Sequence, residues 1–102
     1  MKQIQQGDVL IRQLDAMPVG GKTIAHKRCV LAEGEATGHA HVIEDDEAEL
    51  VRVGDKIILS LKNAGTVFHE EHKPVALEAG IWEIDRVREY DYFSKMVSSV
   101  RD

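Results

Sequence analysis

The chain is poor in cysteine and in aromatic residues, and each shortage restricts what it can be. Cys29 is the single cysteine in 102 residues, so no intrachain disulfide can form. It lies in an apolar stretch, where we expect a small buried hydrophobic residue. With only 5% aromatic residues, the core has to consist mainly of Val, Ile and Leu. The lone thiol favours a reducing compartment.

Long apolar runs are also missing. No stretch approaches the ~20 apolar residues that a membrane-spanning helix needs, and the polar start Met1–Gln6 lacks the pattern of a signal peptide. We therefore expect a cytoplasmic protein with no membrane partner. The formal net charge of -5, from 18 acidic and 13 basic residues, argues against a nucleic-acid partner, which requires a basic face.

The residues that are present indicate a single all-β domain spanning 1–102. Short apolar or alternating runs are separated by Gly, Pro, Asn and Asp turns, a pattern typical of strands. About eight strands at close spacing predict a small antiparallel barrel or sandwich with a short C-terminal helix or tail. An acidic turn is predicted at 45–47 and the helix at 92–97. The predicted strands are 9–14, 39–44, 48–53, 56–61, 66–69, 74–77 and 81–90, and 23–31 is either a weaker strand or an irregular segment.

Histidine is concentrated in two short segments. Four of the five histidines stand in two doublets, His39-Ala40-His41 and His69-Glu70-Glu71-His72. Neutral imidazole is the commonest metal ligand and a proton shuttle near neutral pH. On an extended strand His39 and His41 point to the same face, about 6.6 Å apart along the chain, so they can share one ion.

The second doublet needs a bend before its two rings can converge. Residues three apart on a straight strand face opposite ways, and Pro74 biases the preceding residue toward an extended backbone. We expect His69 to end a strand and the run Glu70–Lys73 to form a loop. At least one of His69 and His72 then meets the first doublet at one end of the barrel.

Together His39, His41, His69 and His72 predict a divalent metal site. Glu44, Glu70 or Glu71 adds a carboxylate, and such a mixed shell suits Zn, Fe, Mn or Ni without separating them. A metal-free alternative makes Glu70 and Glu71 the candidate catalytic acid and base beside the histidines. The ordinary alternative is that histidines in polar loops are solvated surface residues, as we expect for His26.

Four sequence runs resemble a family of small bacterial and phage-associated proteins that has no assigned function. The runs are Gly7-Asp8-Val9-Leu10, Gly34–His41, His69–Pro74 and Arg88-Glu89-Tyr90, so the resemblance covers about residues 7–90. It implies that the four histidines act as one set, and it implies no activity. The site also loosely resembles the metal centre of cupins, although the spacing from Gly34 to His39 and the second cupin motif differ. A third comparison is the co-chaperonin barrel, by length and fold alone.

Two functions of different classes follow from these features. The first is a metal-binding β-barrel, which is an enzyme if the ion keeps a coordination position open to water; its small-molecule substrate is unknown. The second is a non-enzymatic homo-oligomeric assembly module or phage-related structural protein, with the aromatic run Tyr90–Phe93 as the contact. A metal-free hydrolase or isomerase ranks last. Arg86 and Arg88 are expected at the solvated surface, or at an anionic substrate.

Overall fold

The computed structural model describes residues 2–33 and 39–86, and the regular structure in them is β-strand throughout. The predicted all-β class is therefore confirmed. No helix long and apolar enough to span a membrane occurs in this part of the chain. The short helix predicted at 92–97 lies outside the described residues. The strands are β1 Gln3–Gln6, β2 Val9–Leu14, β3 Lys22–Glu33, β4 Ala40–Val53, β5 Lys56–Leu61, β6 Gly65–His69, β7 His72–Leu77 and β8 Gly80–Arg86.

These strands form one antiparallel sheet that curls into a nearly closed barrel. The order around the sheet is β1-β2-β8-β5-β4-β6-β7, and β3 pairs with β4. The two ends of this order, β1 and β7, lie next to each other. We call the junction between β1 and the β6–β7 hairpin the seam. Closing a sheet in this way covers edges that would otherwise present unpaired backbone groups.

Two differences from the predicted strands have clear physical causes. The turn predicted at 45–47 is wrong, because β4 continues through these residues alongside β3. The pairing is irregular there: His26 lies opposite Glu49 and Arg28 opposite Glu44, with Lys27 at a φ of 66°. The acidic residues 45–47 therefore lie within β4, at a point where its pairing with β3 is irregular. The polar strand β1 was not predicted, because an edge strand does not need an alternating apolar face.

The core is built mainly from aliphatic side chains, as the scarcity of aromatic residues predicts. Trp82 is fully buried among them, and Cys29 is also 0% exposed, which confirms the expected buried thiol. The main cluster consists of Val9, Ile11, Cys29, Leu31, Ile43, Ala48, Leu50, Leu59, Leu61, Val67, Leu77, Trp82 and Ile84.

Candidate metal centre

The β6–β7 hairpin brings the second histidine doublet together. His69 ends β6, His72 begins β7, and the two residues lie opposite each other across the turn. Their ring centroids are 4.6 Å apart. The loop predicted over Glu70–Lys73 is therefore too long: only Glu70 and Glu71 form the turn, and β7 starts at His72. Residues three apart on one strand face opposite ways, but the tight turn places His69 and His72 on neighbouring strands, where their rings can face each other.

The first doublet meets the second at the start of β4, which pairs with β6. The His69 ring lies centrally, with its centroid 4.4 Å from that of His41 and 5.7 Å from that of His39. The rings of His41 and His72 are nearly parallel, 6.0 Å apart. The structure thus gathers His39, His41, His69 and His72, which we call the histidine cluster. His26 is exposed on β3, away from the cluster.

His41 is the buried member of the cluster, and its partner Gln6 determines which ring nitrogen carries a proton. The Gln6 amide nitrogen donates to two backbone carbonyls, Val67 O at 3.0 Å and Lys73 O at 2.9 Å. Both N–H bonds of the amide are thereby used, so the Gln6 oxygen faces His41 Nδ1 at 2.8 Å. An acceptor there requires a proton on Nδ1. The lone pair of a neutral His41 is therefore on Nε2.

Asp8 faces that second nitrogen. Its Oδ1 lies 3.4 Å from His41 Nε2, and its Oδ2 forms an ion pair with Arg86 Nε at 3.0 Å. Arg86 also donates from Nη2 to the carbonyl of Glu33. The pKa of His41 is lowered, mainly by burial and then by the facing His69 ring, and Asp8 only partly offsets this. His41 thus favours its neutral form, the form that binds metals.

The two turn carboxylates approach His39 from the exposed side. Glu71 Oε1 lies 3.1 Å from His39 Nδ1, and the Ala40 backbone N–H donates to Glu70 Oε2 at 3.3 Å. Hydrogen bonds from its own backbone N–H and from Ala40 lower the pKa of the Glu70 carboxyl. Both candidate carboxylates therefore lie at the cluster. Glu44, the third carboxylate considered, instead faces the outside of the barrel.

One group of ligand atoms in the described residues is compact enough to suggest a single ion. A nitrogen of His39, a nitrogen of His69 and an oxygen of Glu70 lie within 4.8 Å of one another. Ligands at 2.0–2.1 Å from a tetrahedral zinc lie about 3.3 Å apart, so these side chains need small rotations to close on an ion. The Glu71 N–H donates to His69 Nδ1 at 3.0 Å, so a metal at that nitrogen has to displace this hydrogen bond.

Three residues at or beside the cluster were not predicted as metal-site residues: Gln6 and Asp8, which contact His41, and Arg86, which contacts Asp8. Gln6 and Asp8 flank the β1–β2 turn, and Arg86 ends β8. The sequence signal for Asp8 was the Gly7-Asp8 pair before the predicted strand 9–14, and Arg86 was expected at the solvated surface or at an anionic substrate. The Gly7-Asp8 pair forms a turn, and the Asp8 carboxylate also faces His41. The pairing of β2 with β8 brings Arg86 opposite Val9, a proximity that no local pattern indicates.

Comparison with known proteins gives a family and no activity. A family model described as "Domain of unknown function (DUF8820)" matches residues 5–87. No curated protein and no solved structure matches the chain significantly. The matched range contains the whole histidine cluster together with Gln6, Asp8 and Arg86. The resemblances to cupins and to phage-associated proteins stay predictions.

Proposed function

Since the chain belongs to a family of domains of unknown function (DUF8820), we propose a function from the histidine cluster itself: it binds a divalent metal ion. The observation that carries the proposal is the compact group formed by His39, His69 and Glu70. Two imidazoles and one carboxylate are a common protein ligand set for a catalytic zinc ion, and they also suit Fe, Mn and Ni.

The surroundings of the group support this proposal. His41 is 1% exposed and donates its Nδ1 proton to the Gln6 oxygen. Histidine ligands commonly have such a partner on the other nitrogen, because it orients the ring and raises its basicity. His26, by contrast, is exposed on β3 and lies opposite Glu49.

The exposure of the group favours an open coordination position. The His39 side chain is 27% exposed and that of Glu71 is 62% exposed, so water reaches this side of the cluster. Three protein ligands and one open position characterise catalytic metal sites. With Glu70 as a ligand, Glu71 is the remaining carboxylate that can accept a proton from a bound water. We accordingly propose a site suited to metal-dependent chemistry, with no substrate assigned.

The test is elemental analysis of protein purified without a His-tag, before and after dialysis against a chelator. We expect at least one metal ion per chain, lost on chelation and regained from solution. The His39→Ala/His69→Ala double variant is expected to lose the ion held by His39, His69 and Glu70. The matched control is His26→Ala, which removes an exposed histidine outside the cluster. Metal-free wild-type protein that does not take up Zn, Fe, Mn or Ni contradicts the proposal.

A second candidate function, homo-oligomeric assembly, is supported by an apolar row on the outer face of the barrel. Val30, Val42 and Phe68 are cross-strand neighbours on β3, β4 and β6, and Phe68 is 57% exposed. Next to this row Arg28 and Glu44 form an ion pair at 3.5 Å. Opposite charges beside an apolar row suit pairing with a second copy, because each charge can face its opposite. The contact predicted at Tyr90–Phe93 lies outside the described residues.

Light scattering after size-exclusion chromatography tests the assembly. We expect a wild-type oligomer that Phe68→Ser shifts toward monomer. The control is Val19→Ser, because Val19 is 96% exposed in the turn between β2 and β3, away from the row. A wild-type monomer at high concentration excludes this function and leaves the metal proposal standing.

A further inference from the structure

We propose that the histidine cluster binds a second divalent ion, held by Asp8 and His41. This inference rests on the proposed function, which places the first ion at His39, His69 and Glu70. The inference adds Asp8 to the metal ligands, so that the histidine cluster binds two ions.

The first step is the fixed orientation of His41. Both N–H bonds of the Gln6 amide are used by the carbonyls of Val67 and Lys73, so the amide cannot turn over without losing them. Its oxygen therefore keeps the proton on His41 Nδ1. Only Nε2 of His41 remains to accept a proton or a metal ion. Because His41 is buried on β4, this nitrogen has a fixed position.

The second step is the atom that Nε2 faces. Asp8 Oδ1 lies 3.4 Å from it, and both atoms accept rather than donate when His41 is neutral. Two acceptors at this separation need a cation to bridge them. Neighbouring ligands of a tetrahedral zinc, each at 2.0–2.1 Å, lie about 3.3 Å apart. The pair is therefore already spaced for one ion, and a proton is the alternative occupant.

The third step is how Asp8 is held. Its Oδ2 is paired with Arg86 Nε at 3.0 Å, while Oδ1 has only His41 Nε2 before it. Arg86 is itself anchored by a hydrogen bond to the carbonyl of Glu33. The contact is an ion pair and not a hydrogen bond, so it attracts Oδ2 by charge while Oδ1 faces His41. The same contact offsets part of the negative charge when the site is empty.

His72 would supply the third donor for this ion after its ring rotates, because the ligand atoms of Asp8, His41 and His72 do not form a group as compact as the one at His39. Its ring packs so closely on Gly7, the residue before Asp8, that a side-chain carbon at Gly7 would lie 2.5 Å from His72 Nε2. The ring is also nearly parallel to that of His41. Since His72 is outside the compact group at His39, it is free to serve the second ion. Each of the two ions then has its own histidines and its own carboxylate.

The experiment counts zinc ions per chain. Metal-free protein is titrated with Zn²⁺ by calorimetry, and the loaded protein is checked by elemental analysis. We expect two ions for the wild type, one for Asp8→Asn and one for Glu70→Gln. The control Asp15→Asn changes an exposed carboxylate outside the cluster and should retain two. Circular dichroism of each variant verifies that it is folded.

His72→Ala provides a variant that does not depend on the buried contacts of Asp8. Because His72 is exposed, its truncation should leave the barrel folded and weaken only the second binding step, by about tenfold or more. A wild type that binds one ion, with Asp8→Asn binding that ion equally well, overturns the inference and leaves the proposed function intact. A wild type that binds none overturns both.

Discussion

Replacing Gln6 by methionine would test how the barrel is closed, because this one side chain joins three strands at the seam. Gln6 is 2% exposed. It donates to the carbonyls of Val67 on β6 and Lys73 on β7, and it accepts from His41 on β4. Methionine has a similar length but offers no amide, so all three partners lose their hydrogen bonds.

The expected cost follows from the burial of these partners. A buried polar group without a partner costs ~1–3 kcal/mol. The bond to Val67 O and that to His41 are buried, whereas the bond to Lys73 O is only partly buried, so water replaces it in the variant. Two uncompensated groups give about 2–6 kcal/mol. A domain of this size is typically stable by only ~5–15 kcal/mol, so Gln6→Met removes a large fraction of the stability.

Urea unfolding followed by the fluorescence of Trp82 measures this loss, since the single tryptophan is fully buried. The control is Gln5→Met. Gln5 is exposed, and its amide bonds only to the carbonyl of Gly7, so we expect a change within about 0.5 kcal/mol. Gln6→Glu keeps an acceptor for His41 but turns oxygens toward two carbonyls, and should be no more stable than Gln6→Met. Equal stabilities of Gln6→Met and Gln5→Met would refute the reasoning.

Three further predictions concern pH, the thiol and one glycine. Burial lowers the folded-state pKa of His41 below the ordinary histidine value of about 6.5, so the folded protein binds that proton less tightly than the unfolded chain. Stability is therefore retained above this pH and falls below it, and urea unfolding of His41→Asn between about pH 7 and pH 5 should show a weaker decline than the wild type. Burial and the charge of Glu49 raise the pKa of the Cys29 thiol, so a thiol reagent followed by absorbance should react only as the protein unfolds; rapid reaction of the native protein would contradict this. Gly7→Ala should lower the free energy of unfolding more than Gly54→Ala in thermal unfolding, because the φ angles of 59° and 65° are alike but, of the two glycines, only Gly7 packs on a side chain. We expect a loss of ~1–2 kcal/mol from the backbone strain that both variants share and about 1 kcal/mol more at Gly7. Equal losses would show that the packing contributes nothing.

Much of the fold could be predicted because turn residues and apolar runs are local signals. The strands β2, β5 and β8 follow directly from such runs. The long strand β4 could not be predicted, since its continuity through 45–47 depends on β3 running beside it. The strand β1 carries almost no apolar signal, and pairing with β2 makes it a strand.

The candidate site also has a part that local sequence signals predict and a part that they do not. Strand periodicity brings His39 and His41 to the cluster, and a short turn brings His69 and His72 there; both signals are visible in the sequence. The compact group of ligand atoms, however, joins His39 to His69 and not to His41. The contacts of Gln6 and Asp8 with His41 are tertiary. They depend on β1 reaching the β6–β7 hairpin, a contact that neither local propensity nor spacing indicates. Sequence patterns therefore predicted the ring donors but not the groups that orient them.

The seam determines which part of the barrel can fold last. The hydrogen bonds of Gln6 span 61 and 67 residues of chain, so they depend on loop closures that are entropically expensive and slow. During synthesis the N-terminal hairpin has to wait until β7 and β8 have left the ribosome. The contacts of His41 with Gln6 and Asp8 therefore exist only in a completed barrel, and nascent or truncated chains lack them. Metal binding at His41 would report on finished folding, and it would distinguish complete molecules from partial ones.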